Sequence, residues 1–262
     1  MGILKKSRVF ALAIPALTVI YPASVWAEEP EPPSYCEATG KGDIFNENRR
    51  GICGDYASEI SPAEAFLNTV VNRGKKGNER PIILDVRSTP EYRAGHPQYS
   101  YNVPSPFIYQ TCLDEYNNGD PVEPPLRRPD GACKSGGERI AQPPEDFVSY
   151  VESIVPNKDT PIYTLCRTGS RSVGAAEILT KAGYSNVRNI WEGFVGINLI
   201  ADNQVYVEEG VYAPGPVDLN HDGMLTDEDK NGWRYHQGLP YETKLKTKQK
   251  YTGNFAETYD WD

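Results

Sequence analysis

The segment Leu165-Cys166-Arg167-Thr168-Gly169-Ser170-Arg171-Ser172 joins a short apolar run to a stretch with helical spacing. A cysteine placed where a buried strand gives way to a helix has successive backbone N–H groups curling around its sulfur. The helix adds the positive end of its dipole, and Arg167 and Arg171 add full charges. All three influences stabilise a thiolate and any anion held beside it. Gly169 permits a tight turn that a side chain would obstruct. The pattern predicts an activated nucleophile in an anion cradle. Cys166, Arg167 and Arg171 would carry the chemistry, and Thr168, Gly169, Ser170 and Ser172 would form the substrate-binding loop.

A second segment, Asp218 to Asp229, offers oxygen ligands. Asp218, Asn220, Asp222 and Asp229 fall at the first, third, fifth and last positions of an EF-hand-like calcium loop. Gly223 takes the sharp turn, and Met224 would give its backbone carbonyl. Asp229 stands where the longer Glu is usual, as in dockerin-like loops, so a weak, structural calcium site is expected. The alternative is an acidic surface loop capped at Thr226 that binds nothing.

These segments need a scaffold. Pro81–Val86 and Pro161–Cys166 are continuous apolar runs, which suit strands buried on both faces of a parallel sheet, and Asn186–Ile190 reads as a third strand. Helices are expected at Pro144–Val155 and Ser172–Ala182, the latter stopped by Gly183. Another begins at Ser61, with Pro62 in the first position and Glu64 completing a capping box; Phe66, Leu67, Val70 and Val71 would form its apolar face. Strand, helix, strand in this order predicts an α/β domain. Residues 109–142, rich in Pro and Gly, keep neither period and read as a surface insertion.

The whole chain has 262 residues and a formal net charge of −9. The acidic balance argues against a nucleic-acid partner, since phosphate binding needs a basic footprint. Only three histidines are present, His96, His221 and His236, and their placement suits neither a three-histidine zinc site nor a serine triad. Residues 1–27 read as a secretory signal: Lys5, Lys6 and Arg8 precede an apolar run too short to span a bilayer comfortably, and Val25-Trp26-Ala27 offers a cleavage site. A periplasmic or secreted protein is expected, with no membrane contact after signal removal. Residues 28–60 read as a Pro-rich leader, 61–205 as the domain, and 206–262 as a C-terminal extension holding the 218–229 loop.

In order along the chain, Leu84-Asp85-Val86-Arg87, Glu91-Tyr92 with Gly95-His96, Asn102-Val103-Pro104, Cys166 to Ser172, Ala175-Ala176 with Leu179, and Gly183-Tyr184 with Asn186-Val187 resemble the rhodanese family of sulfurtransferases. The resemblance covers about 60–205, interrupted by the insertion. It implies a parallel five-stranded sheet flanked by helices, here with loop-rich N-terminal and C-terminal extensions. It implies transfer of a sulfane sulfur from a thiosulfate-like donor to Cys166, and from the persulfide to a thiol or cyanide acceptor, with no catalytic cofactor. Asp85 and Arg87 match residues that brace the loop in that family. Glu91, Arg93 and His96 read as structural. Four residues separate Cys166 from Arg171, which fits sulfur better than the longer spacing of cysteine-based phosphatases fits phosphate. Trp191, Phe194 and Trp233 read as core or pocket-wall aromatics, core being the commoner case. The rival function is a non-catalytic binding or sulfur-carrier protein that serves a periplasmic partner enzyme.

Five cysteines remain to be placed. Cys36–Cys53 and Cys112–Cys133 would close short loops at low entropic cost, leaving Cys166 free. Four cysteines allow three pairings, and a bridge to Cys166 is the competing arrangement.

Overall fold

The computed structural model describes residues 56–73, 80–113, 126–208 and 211–254, with the residue pairs 116–117 and 120–121. The expected signal segment and the Cys36–Cys53 pairing lie outside the described residues.

Strand β1 (Ser58–Ile60) is followed by helix α1 (Pro62–Phe66), which continues as a π-helical turn, Leu67–Val71. Then come β2 (Ile82–Asp85), α2 (Thr89–Arg93), β3 (His96–Pro97), β4 (Tyr101–Asn102) and β5 (Phe107–Cys112). The two-residue strands β6 (Tyr116–Asn117) and β7 (Asp120–Pro121) precede β8 (Gly136–Ala141) and α3 (Pro144–Ile154). Strand β9 (Ile162–Leu165) leads into α4 (Ser170–Lys181), then β10 (Val187–Ile190), β11 (Ile200–Glu208), β12 (Val211–Pro216) and β13 (Tyr241–Glu242).

The central sheet has five parallel strands in the order β1-β10-β9-β2-β4. Strand β9 is its middle strand, all four of its residues buried. Its side chains alternate as a pleated strand requires. Ile162 joins one apolar layer, with Phe147 and Val151 of α3 and Ala175, Ala176 and Leu179 of α4. Tyr163 and Leu165 join the other, with Ile60, Ala65, Phe194 and Trp233. This explains why the run Pro161–Cys166 shows no polar alternation: both faces are covered.

Three expectations are corrected by the structure. The sheet begins within the expected leader, since β1 pairs with β10; three residues are too few to show a period. The face proposed for the first helix is not buried as a stripe: Leu67 is 48% and Val71 56% exposed, while Ala65 and Thr69 are buried. The π turn widens the helix and moves later residues off the 3.6-residue spacing. Ser61 Oγ accepts from the Glu64 N–H at 3.1 Å, but the Glu64 carboxylate pairs with Arg188 at 2.8 Å instead of closing the capping box. Finally, the ends of the 109–142 insertion are structured, because β5 and β8 pair antiparallel with two register shifts.

Candidate active site

Cys166 follows directly on the last residue of β9, at the carboxyl end of the sheet's middle strand, where open α/β sheets hold their ligands. Its sulfur turns toward the start of α4. Sγ accepts from the Gly169 N–H at 3.1 Å and from Ser172 Oγ at 3.4 Å, and the residue is fully buried. Gly169 is in the left-handed region at φ +89°, and a Cβ there would fall 1.9 Å from the Trp191 carbonyl oxygen. The loop is therefore backed by chain that leaves no room for a side chain. The Phe194 N–H donates to Cys166 O at 2.8 Å, and the Val195 and Gly196 N–H groups donate to Arg167 O at 2.9 and 3.1 Å. The amide and hydroxyl at Sγ and the twelve-residue helix beyond favour negative charge on this sulfur.

The two arginines are placed differently from the expectation of free positive charge. Arg171 Nη1 and Nη2 donate to Glu91 Oε2 and Oε1 at 2.8 and 2.6 Å. Burial alone would raise the Glu91 carboxyl. The Arg171 guanidinium, helped by Arg87 and Ser88, outweighs that and lowers it from 4.5 to about 2. Arg167 Nε donates to the buried Asp130 Oδ2 at 2.7 Å. Each loop cation is thus neutralised by an acid from another element, because a partly desolvated guanidinium needs a partner.

Asp85 and Arg87 touch no atom of the 166–171 loop through the bonds they make. The Asp85 carboxylate accepts from Arg87 Nε and Nη2 at 2.8 and 2.6 Å, and Nη2 also donates to Gly95 O at 2.6 Å. The guanidinium lies 4.0 Å from the Phe194 ring centroid. Their support reaches Cys166 through Phe194, whose amide holds the Cys166 carbonyl. Asn102 Nδ2 donates to both Asp85 O and Arg87 O, clamping the end of β2. His96 is fully buried, stacks on Tyr92 at 3.9 Å and lies with Nδ1 2.9 Å from Tyr92 O. Burial pushes its imidazole down from 6.5, and its contacts are those of a structural residue.

A cavity of about 420 Å³ opens over the loop. Arg167, Thr168 and Arg171 line it from the loop side; Gln110, Arg127 and Arg139 line it from the insertion. Sequence reasoning missed the insertion's part in the site. The Gly131 backbone packs so closely on α2 that a Cβ would meet Pro90 O at 2.3 Å, which sets Asp130 against Arg167. The turn signature Pro129-Asp130-Gly131 was the available signal, but it does not tell where the turn docks. Cys112 and Cys133 form a disulfide with a Cα–Cα distance of 5.1 Å, and Cys166 is a free cysteine.

The C-terminal extension contributes to the domain itself. Trp233 is fully buried in the second apolar layer, with Nε1 donating to Pro240 O at 2.9 Å, and β13 pairs with β3. Phe194 is likewise fully buried, so both are core aromatics, whereas Trp191 is only partly buried. In the 218–229 loop the side-chain oxygens turn to the loop's own amides. Asp218 Oδ2 accepts from Gly223 N–H at 2.7 Å, Asn220 Oδ1 from Asp222 N–H at 3.0 Å, and Asp222 Oδ1 from Met224 N–H at 2.8 Å. Asp229 Oδ2 accepts from Thr226 N–H at 2.6 Å and Oδ1 from Leu219 N–H at 2.9 Å, which lowers its carboxyl from 3.8. Among the described residues no group of three or more His, Cys, Asp or Glu is gathered for a metal ion. Among the same residues no helix is long and apolar enough to cross a membrane.

Residues 69–199, half of the chain, match the sequence profile described as "Rhodanese-like domain". Thiosulfate sulfurtransferase 18 of Arabidopsis thaliana is 29% identical over 142 residues, covering 53% of this chain and 82% of that protein. The uncharacterized protein RP600 of Rickettsia prowazekii is 41% identical over 54 residues, 21% of this chain and 42% of its own length. Among solved structures, Rv0390 from M. tuberculosis is similar at 22% identity and a TM-score of 0.38, covering 72% of this chain and all of that one.

Proposed function

The chain belongs to the rhodanese-like domain family, and on that premise we propose that it is an exported sulfurtransferase working through a persulfide on Cys166. The observation that carries this reading is the Gly169 N–H and Ser172 hydroxyl aimed at the Cys166 sulfur. They are donors in place before any charge develops. The Cys166 thiolate attacks the outer sulfur of a thiosulfate-like donor. The new S–S bond forms as the bond to the sulfonate sulfur breaks, and sulfite leaves with the electron pair. A thiol or cyanide then attacks the outer sulfur of the persulfide, and the pair returns to Cys166. Nothing is oxidised or reduced overall, and no cofactor is required. Export rests on the leader pattern of residues 1–27 and agrees with the Cys112–Cys133 bridge.

A sulfur-transfer assay with thiosulfate and cyanide, beside Cys166→Ser and intact-mass measurement, tests the reading. Turnover and a mass gain of one sulfur atom, both absent from the serine variant, are expected. Their absence from the native protein, with Cys166 reduced, would favour the second reading, a binding or carrier scaffold. The specific observation behind that alternative is the complete burial of Cys166 with both loop arginines already ion-paired.

We also infer a structural calcium ion in the 218–229 loop, held by Asp218, Asn220, Asp222, the Met224 carbonyl and Asp229. Support comes from the ligand spacing and from Asp218 Oδ1, a buried oxygen with no hydrogen-bond partner. Calorimetry of the metal-free protein with millimolar calcium is expected to register binding that Asp218→Ala removes; no heat at that concentration would end this inference.

A further inference from the structure

We propose that Arg139, supported by Arg127, determines acceptor specificity, and that the acceptor is an organic thiol carrying carboxylates. The inference rests on the sulfurtransferase reading and extends it to the molecule that takes the sulfur. Its basis is the distribution of charge around the cavity. The cations nearest the cysteine are spent: Arg171 on Glu91 and Arg167 on Asp130. The cations that meet no carboxylate among the described residues come from the insertion. Among the described residues Arg127 donates to the neutral oxygens Gln110 O and Gly131 O, at 2.7 and 3.0 Å, and to Cys133 Sγ, so its geometry is fixed while no carboxylate of those residues meets its charge. The exposed Arg139 lies 4.8 Å from the Phe107 centroid, a contact that leaves its donors available.

The same ring locates Arg139 relative to the chemistry. Arg171 lies 5.2 Å from the Phe107 centroid. The two guanidinium carbons are therefore no further apart than those two distances together. Arg171 is the second residue of α4, whose first turn carries the Ser172 hydroxyl at the Cys166 sulfur, so Arg139 faces across the cavity the loop that holds the transferring atom. A cavity of about 420 Å³ is of the size that holds drug-sized organic ligands. Cyanide or thiosulfate alone would leave most of it to water. A thiol with carboxylates on its neighbouring carbons spans it from the loop residues Arg167, Thr168 and Arg171 to Arg127 and Arg139, and places negative charge beside those two guanidiniums. In the transfer, the acceptor thiolate bonds to the outer sulfur of the Cys166 persulfide and the S–S bond to Cys166 breaks. The electron pair returns to the Cys166 thiolate, leaving an acceptor persulfide and no change in overall oxidation state.

The test compares mercaptosuccinate with 2-mercaptoethanol as acceptors, with thiosulfate as donor, in the native chain, Arg139→Gln and Arg139→Lys. Arg139→Gln is expected to lower kcat/KM for mercaptosuccinate about tenfold and for 2-mercaptoethanol less than about twofold, with partial recovery in Arg139→Lys. Equal losses for both acceptors, or no loss for mercaptosuccinate, would overturn the proposal. Calorimetry with 2-(methylthio)succinate on the Cys166→Ser protein reads the same site without turnover. Binding that weakens about tenfold in the double variant Cys166→Ser/Arg139→Gln supports the carboxylate site even if the native protein transfers no sulfur, in which case only the sulfurtransferase reading fails. Transfer that proceeds without this binding overturns the acceptor assignment alone.

Discussion

Glu91 Oε2 accepts from Arg171 Nη1 at 2.8 Å and, at the same time, from the Ser88 N–H at 3.1 Å and the Ser88 hydroxyl at 2.8 Å. One carboxylate oxygen therefore caps the N-terminus of α2 and holds the arginine that opens α4. The pair ties the loop around Cys166 to the start of α2, through side chains that are 4% and 20% exposed. At that burial the ion pair is little screened by solvent, unlike the surface pairs that contribute almost nothing.

The first prediction concerns acid stability. The folded Glu91 carboxyl is lowered from 4.5 to about 2, so between those values the unfolded chain binds the proton that the folded chain refuses. Stability is therefore fully present above about pH 5 and lost as pH falls toward 2, an effect of about 3 kcal/mol. Glu91→Gln is expected to lower stability by a similar amount at pH 7, since it strands a partly buried guanidinium. Denaturant melts at pH 7 and pH 3 check this: the gap between native and variant shrinks on acidification, and a constant gap would refute it.

Asp130 offers a cleaner handle on the anion cradle. Its Oδ1 accepts from the Ala132 N–H at 3.1 Å while Oδ2 holds Arg167. Asp130→Asn keeps the turn but frees the arginine's charge toward the cavity. With thiosulfate as donor, kcat/KM is expected to rise several-fold at low ionic strength, and the gain to fade as salt is added. A fall, or a rise indifferent to salt, would show that the ion pair positions the loop and does not mask charge.

Ser172→Ala tests the hydroxyl at the sulfur. Losing one hydrogen bond to a charged atom is worth about 1.5–3 kcal/mol. Single-turnover persulfide formation should slow by roughly tenfold or more, while the thermal midpoint moves little. The single Ser172 hydroxyl proton is shared between Cys166 Sγ and Gly169 O, which lies at 3.1 Å, so Ser172→Thr, which keeps the hydroxyl, serves as the comparison. Rescue by threonine would assign the effect to the donor rather than to a gap.

The parts of this molecule that were legible in its sequence are those set by local physics. Pro161–Leu165 reads as a doubly buried strand because the chain must be apolar on both faces there, and β9 sits at the sheet's middle. Gly169 stands out because the tight turn between strand and helix leaves no room for a side chain, and Cys166 because it ends the apolar run just before that turn. The short strand β1 and the docking of the insertion were not legible. Ser58–Ile60 is defined by its partner Arg188–Ile190 across the chain, and its three residues carry no period. The pairing of Asp130 with Arg167 spans thirty-seven residues, and no spacing rule reaches that far. The sequence offered Arg167 and Arg171 as free charges around Cys166, but their acids Asp130 and Glu91 come from elements that the local pattern treated as a surface insertion and an adjoining turn.

Gly169 gives the last prediction, because it combines two costs that a second glycine separates. Gly183 has φ +93° with nothing within 4 Å of where a Cβ would stand, whereas Gly169 at φ +89° would also drive that carbon to 1.9 Å from Trp191 O. Gly183→Ala therefore carries only the left-handed backbone penalty, about 1–2 kcal/mol, and is expected to retain sulfur transfer. Gly169→Ala adds a collision with backbone that cannot rotate away. To relieve it the loop must shift, and the amide that donates to Cys166 Sγ shifts with it. The expected result is a larger loss of stability than in Gly183→Ala and a loss of persulfide formation beyond what the fraction unfolded explains. If the two variants melt alike and transfer sulfur alike, the close approach of Trp191 O is not what holds the Cys166 loop in shape.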